Sequence, residues 1–241
     1  MSSGGAGLPP GLPGWLRPLA AARGSVVAAE LGRWSPPGDA ERRSAVLVLL
    51  GEGGTPDGGP DVLLIERAHH LRHHAGQPAF PGGMVDPGDD GPVAAALREA
   101  VEETGLDPAG VVVIGELPPL WLPPSRTVVV PVLAWWRAPS PVAAVDPAEV
   151  AAVRRVAVAE LVDPARRLRT RHPVGHVGPA FALDDLFVWG FTAMLLDRVL
   201  RVGGFERPWE AGRVVPLPAE ALAPAGRGAA AVVDERPGGA R

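Results

Sequence analysis

Residues 83–106, GMVDPGDDGPVAAALREAVEETGL, constrain the fold more than any other stretch of the chain. A turn rich in Pro, Gly and Asp leads into a short helical stretch carrying Arg98, Glu99, Glu102 and Glu103. A helix repeats every 3.6 residues, so Glu99, Glu102 and Glu103 stand at i, i+3 and i+4 and share one face. Arg98 lies one turn before Glu102 and can pair with it. Ala95, Ala96, Ala100 and Val101 supply small side chains for close packing on the other side. Gly105 is the expected helix stop, with Leu106 as the apolar contact beyond it.

Carboxylates crowded on one helix face repel each other by roughly 0.2–0.5 kcal/mol per pair, and Arg98 offsets only part of that. A bound divalent cation resolves the conflict, because hard cations take oxygen ligands and neutralise them. The simpler reading is a solvated acidic face. The flanking residues decide between the two.

Those flanks resemble the Nudix box. Arg98-Glu99-Ala100-Val101-Glu102-Glu103-Thr104-Gly105-Leu106 matches the second half of that motif in full. In the first half, Gly83 stands one residue further from Arg98 than in the family pattern. The first glutamate of the pattern is replaced by Asp89 or Asp90. The resemblance implies the Nudix fold, an α/β/α sandwich around a mixed β-sheet, and hydrolysis of a nucleoside-linked diphosphate with Mg²⁺ or Mn²⁺. It implies that Glu102 and Glu103 bind the metal, that Glu99 completes the site or activates water, and that the Gly83 carbonyl is a further ligand. Arg98 is expected to orient the acids.

A second stretch, LLIERAHHLRHHAGQPAFPGG at 63–83, resembles the signature that precedes the box in coenzyme A pyrophosphatases of this family. Leu63, Leu64, Arg67, Arg72, Gly76, Phe80, Pro81, Gly82 and Gly83 fall at its spacing, while Ile65 and Ala68 stand where the signature has hydroxyl residues. The substrate implied is coenzyme A or a derivative, cleaved to 3′,5′-ADP and a 4′-phosphopantetheine product, with Arg67, Arg72, Gly76, Phe80 and Gly82 at the substrate. Arginine presents a planar fork of donors suited to phosphate. The alternative for either arginine is a structural ion pair with an acid such as Glu66 or Asp86. Other diphosphates (a dinucleotide, a nucleotide sugar, a nucleoside triphosphate) and a noncatalytic nucleotide-sensing module are the competing functions. The retained acids speak against the last.

His69, His70, His73 and His74 stand in the same stretch. Their i, i+4 spacing suits zinc only on a helix with further ligands. Gly76 and Pro78 follow closely, so no metal is assigned to them. Glu149, in the run DPAEV at 146–150, is similar to an acid that the subfamily carries there. It is expected as a further metal ligand or as the general base, against the alternative of a glutamate at a helix start.

Composition sets the remaining bounds. At 241 residues, 46% of them hydrophobic, the chain is long enough for one domain with extensions. It has no cysteine, which excludes disulfides and thiolate metal sites. The formal charge of −4 provides no electrostatic basis for nonspecific nucleic-acid binding. The first residues lack a secretory pattern and no apolar run reaches membrane-spanning length, so a cytoplasmic protein without membrane association is expected, with a homodimer left open as its assembly.

In chain order, residues 1–35 are expected to be a flexible Gly/Pro leader. After the Gly/Pro-rich residues 1–13 it contains a short helix that is expected to dock through Trp15, Leu16, Leu19 and Ala20. The Nudix domain is expected over 36–205, with strands at 45–50, 62–65, 111–117, 127–136, 153–158 and 176–183. Residues 118–125 are read as a stiff proline loop. Pro131 implies an edge position or a bulge in its strand, because proline cannot donate to a ladder. Residues 163–175 are read as a surface connection. An apolar helix is expected over 187–200, with Asp197 and Arg198 facing water, and a disordered tail over 206–241.

Overall fold

The computed structural model describes residues 7–25, 36, 42–71, 75–122, 125–173 and 175–222. A turn at Gly14–Leu16 leads into helix α1 (Arg17–Ala21). Strands β1 (Arg42–Glu52), β2 (Pro60–Arg67), β3 (Pro78–Ala79) and β4 (Gly82–Met84) precede helix α2 (Gly91–Thr104). Then come β5 (Val111–Glu116), β6 (Leu120–Leu122), β7 (Thr127–Trp136), β8 (Val150–Ala157) and the single turn α3 (Val158–Leu161). The C-terminal part contributes β9 (Arg167–Arg171), β10 (Val177–Ala182), β11 (Phe187–Val188), α4 (Gly190–Val202), β12 (Val214–Pro216) and α5 (Ala219–Leu222).

The main sheet is mixed. It runs β3-β2-β1-β7-β5, with β4 also on β1, β6 also on β7 and β8 also on β2. β1 and β7 pair in parallel from Arg42↔Thr127 to Leu50↔Trp135, and the other pairings are antiparallel. Side chains alternate across a sheet, so β1 feeds two cores. Ala45, Leu47 and Leu49 join Ala95, Ala96 and Ala100 of α2 on one face. Val48 and Leu50 join Leu195, Leu196 and Val199 of α4 on the other. This is the expected α/β/α layering.

The N-terminal segment belongs to the second core. Leu12, Leu16, Leu19 and Ala20 are buried in it, and the Trp15 indole donates to the Glu52 carboxylate at 2.7 Å. Leu12 therefore departs from the flexible leader expected for the first residues, because an apolar side chain buried to this degree is held by the domain. Residues 1–6 lie outside the described residues.

Five further expectations are corrected. Residues 118–125 include β6, a short strand that pairs with β7 from Leu120↔Val129 to Leu122↔Thr127. Pro131 lies in the middle of β7, which is flanked on both sides, not at an edge. Its carbonyl accepts the Leu117 N–H at 2.8 Å, at the junction where pairing passes from β5 to β6. A strand residue turns its N–H and C=O to the same side, so the missing donor falls in that junction and the β1 ladder is spared.

The Arg-rich segment 163–175 is partly interior, with Arg167, Leu168 and Thr170 buried. It contains β9, part of a second sheet ordered β11-β10-β9-β12. Arg167 is only 1% exposed and pairs with Asp197 and, at 3.0 Å, with Glu206. Asp197 is consequently buried against arginine and does not face water. The expected tail is folded as far as residue 222, because β12 pairs in parallel with β9 and Glu206 closes the Arg167 pair. Residues 223–241 lie outside the described residues.

Candidate active site

Helix α2 ends as the sequence implies. Gly105 takes the left-handed conformation at φ 68° and donates to the Val101 carbonyl at 2.9 Å. Leu106 is buried. The acidic face this leaves meets β4, where two glycines remove side chains at the point of contact. A Cβ on Gly83 would overlap the Glu99 carboxylate, and one on Gly82 would overlap the Ala45 carbonyl of β1. The glycine pair thus allows the backbone of β4 to lie directly under the acids.

Glu103 is 6% exposed and accepts the Gly82 N–H at 2.9 Å. Burial pushes its carboxyl up to about 7; that hydrogen bond and the charge of Arg67 oppose the shift, and the charges of Glu99 and Glu149 add to it. Glu99 is raised as well, first by burial, against the neighbouring Arg98. Glu102 is more exposed and turns towards Arg98.

Arg98 organises the group. It donates to both oxygens of Asp89 at 3.0 Å, to Glu99 at 3.1 Å, to Glu102 at 3.0 Å and to the Met84 carbonyl at 3.0 Å. Asp86 lies 3.6 Å away. The two-pronged bond to Asp89 raises the Arg98 pKa above its ordinary value and lowers that of Asp89. The choice between Asp89 and Asp90 is thereby resolved. Asp89 takes the place opposite the arginine, and Asp90 is the residue before the helix. The extra residue ahead of Arg98 made the two indistinguishable by spacing.

Of the expected substrate residues, Arg67 stands at the end of β2 and acts on Glu103 through its charge. Its Nε is buried without a hydrogen-bond partner. The Gly76 N–H bonds to the Arg67 carbonyl at 3.0 Å, and Gln77 accepts the Arg67 N–H at 3.1 Å. Gly82 is committed to Glu103. Phe80 is 3% exposed inside the α4-side core, where its ring contributes packing. Arg72, His73 and His74 lie outside the described residues. His69 is exposed and bonds Glu66 at 3.1 Å. Glu149 is exposed just before β8, its carbonyl accepting the Ala68 N–H at 2.9 Å.

The donor set suits a hard divalent cation. It consists of carboxylates on adjacent helical turns, two of them with raised pKa values because burial leaves their charge undercompensated. Among the described residues, no three acidic or histidine side chains already converge into a cage. Arg98 bonds one oxygen of Glu99 and one of Glu102, which leaves the second oxygen of each carboxylate for an ion.

The NUDIX domain family model matches residues 40–175. Proteins of Salmonella paratyphi B and Salmonella newport, each carrying the name uncharacterized Nudix hydrolase NudL, are 38% identical over 170 residues. The match covers 68% of this chain and 84% of each relative. A crystal structure of a Nudix hydrolase from M. smegmatis, RenU, aligns over 73% of this chain and 98% of its own, at 20% identity and a TM-score of 0.49. With the box on α2, the acids over β4, the family-model match and the two Salmonella relatives, the chain belongs to the Nudix family of hydrolases.

Proposed function

We propose that this Nudix hydrolase cleaves coenzyme A or a derivative to 3′,5′-ADP and a 4′-phosphopantetheine product, with Mg²⁺ or Mn²⁺ bound to the acidic face of α2. The observation that carries the reading is Arg67. A buried guanidinium nitrogen without a partner, on a side chain whose charge reaches Glu103, is suited to a phosphate oxygen beside the metal ligands. Arg67 belongs to the stretch at 63–83 that resembles the coenzyme A pyrophosphatase signature. The two departures in that stretch, Ile65 and Ala68, are 1% and 2% exposed. The hydroxyls they lack would lie in the interior, away from a ligand.

Glu102 and Glu103 would hold the ion, with Glu99 and the Gly83 carbonyl as further oxygen donors. A divalent ion there supplies charge to the phosphoryl oxygens and lowers the pKa of an attacking water. Arg98, anchored on Asp89, positions Glu99 and Glu102. Arg67 binds the diphosphate and offsets charge on the leaving group. Glu149, whose charge is felt at Glu103, is the candidate to take the water proton or to complete the ligand set. The protein performs no covalent step, so positioning and electrostatics supply the rate.

The test is incubation with coenzyme A and Mg²⁺ or Mn²⁺, with products identified by mass spectrometry. The Glu103→Gln protein runs alongside. The expected result is 3′,5′-ADP and phosphopantetheine from the wild type, with turnover reduced by orders of magnitude in the variant. Near-normal turnover in a folded Glu103→Gln protein overturns the site. Cleavage only of dinucleotides, nucleotide sugars or nucleoside triphosphates overturns the substrate and leaves the site standing.

A further inference from the structure

The second sheet carries a feature that the diphosphate chemistry does not use. Between the end of β9 and β12 lies an open surface cavity of about 350 Å³, most of whose lining residues are exposed. Its walls include Arg171, His172, Pro173, Val214, Val215 and Leu217. The His172 ring is backed by the indole of Trp189, with centroids 6.3 Å apart and planes inclined by 26°. The Leu217 N–H bonds to the Arg171 carbonyl at 3.1 Å and fastens the two walls together.

The charge around this cavity runs against that of the whole chain. From Ala165 to Leu183 there are four arginines and two histidines and no acid, and from Ala211 to Ala219 there is Arg213 and no acid, in a protein of net charge −4. Arg166 is paired with Asp184 at 3.0 Å, and Arg167 with Asp197 and Glu206. Among the described residues, Arg169 and Arg171 have no acidic partner. Arg171 is exposed at the end of its strand and lines the cavity. An unpaired guanidinium beside an aromatic pair and aliphatic walls selects a ligand with an anionic end and a flat apolar body.

This cavity is separate from the acids of α2. Phe181 and Val188 of the second sheet pack into the core that contains α4, whereas α2 lies on the opposite face of the main sheet. We infer that the cavity between β9 and β12 is a second ligand site, for a nucleoside monophosphate, with the phosphate on Arg171 and the base against His172 and the valine wall.

Isothermal titration of the full chain with AMP in the absence of divalent metal tests this without any turnover. Wild type, Arg171→Ala, Arg171→Glu and Glu103→Gln proteins are compared, with inorganic phosphate and adenosine as separate titrants. The expected result is saturable binding of AMP to the wild type and to Glu103→Gln with equal affinity. Arg171→Ala weakens it at least tenfold and Arg171→Glu abolishes it, while phosphate or adenosine alone binds more weakly than AMP. Absence of saturable AMP binding, unchanged affinity in both Arg171 variants, or loss of binding in Glu103→Gln overturns the site. Because no reaction is read, failure here is distinct from failure of the coenzyme A assignment.

Discussion

Glu103 concentrates the conflict at the acidic face in a single residue. In the unfolded chain its carboxyl titrates near its ordinary value of 4.5, and in the folded protein burial pushes it up to about 7. The native state therefore holds the proton more tightly, and stability must fall as the pH rises. The full benefit is present below about 4.5 and is lost as the pH passes through about 7. The difference corresponds to about 3 kcal/mol as an order of magnitude. Urea unfolding of the metal-free protein is expected to show a lower midpoint at pH 8 than at pH 5, and Glu103→Gln is expected to flatten that dependence. An equally steep fall in the variant would place its origin elsewhere. The acids themselves were legible in the sequence, since i, i+3 and i+4 spacing is a local property. The burial of Glu103 was not, because it depends on two glycines of β4 coming to lie beneath the helix.

At the scale of elements, long periodic segments were legible and short ones were not. α2, β1 and β7 carry enough apolar residues for their type to be evident, although the ends of β1 extend beyond the apolar run. β6 and β12 have only three residues each and are defined by their partners. β7 illustrates how tertiary context overrides a local rule. Proline in a flanked strand is tolerated because its absent donor falls at the β5–β6 junction. Pro131→Ala should accordingly add no useful ladder bond and lose some restriction of the unfolded chain, about 0.4–1 kcal/mol. Chemical denaturation is expected to show no change or a loss of that size, with turnover intact. A gain of about 1 kcal/mol, the net value of a new hydrogen bond, would show that the junction reading is wrong.

For the whole molecule, the buried pair of Arg167 and Asp197 is the joint between the second sheet, α4 and the C-terminal segment. Glu206 and Arg201 add bonds to it, and the Arg167 guanidinium lies 4.4 Å from the centre of the Trp209 ring. Removing one partner of a buried ion pair leaves the other charge uncompensated, at a cost of about 3–5 kcal/mol. Arg167→Ala is therefore expected to lower the thermal midpoint strongly, and Arg167→Ala with Asp197→Leu to lose less than the sum of the two single changes. Strict additivity in that double-mutant cycle would show that the two residues are not coupled.

The sequence by itself determined the Nudix box, the face its acids share, the helix stop at Gly105, the main strands and the apolar C-terminal helix. Each of these is encoded by residues within a few positions of one another, so periodicity and turn chemistry suffice. Only the tertiary structure decided that Asp89 anchors Arg98, that Phe80 packs in the core, that Asp197 is buried and that residues 206–222 fold onto the domain. These depend on which distant groups meet. A charged or aromatic side chain reads the same in sequence whether water, a carboxylate or a hydrophobic core receives it, and the energies of those environments differ by several kcal/mol.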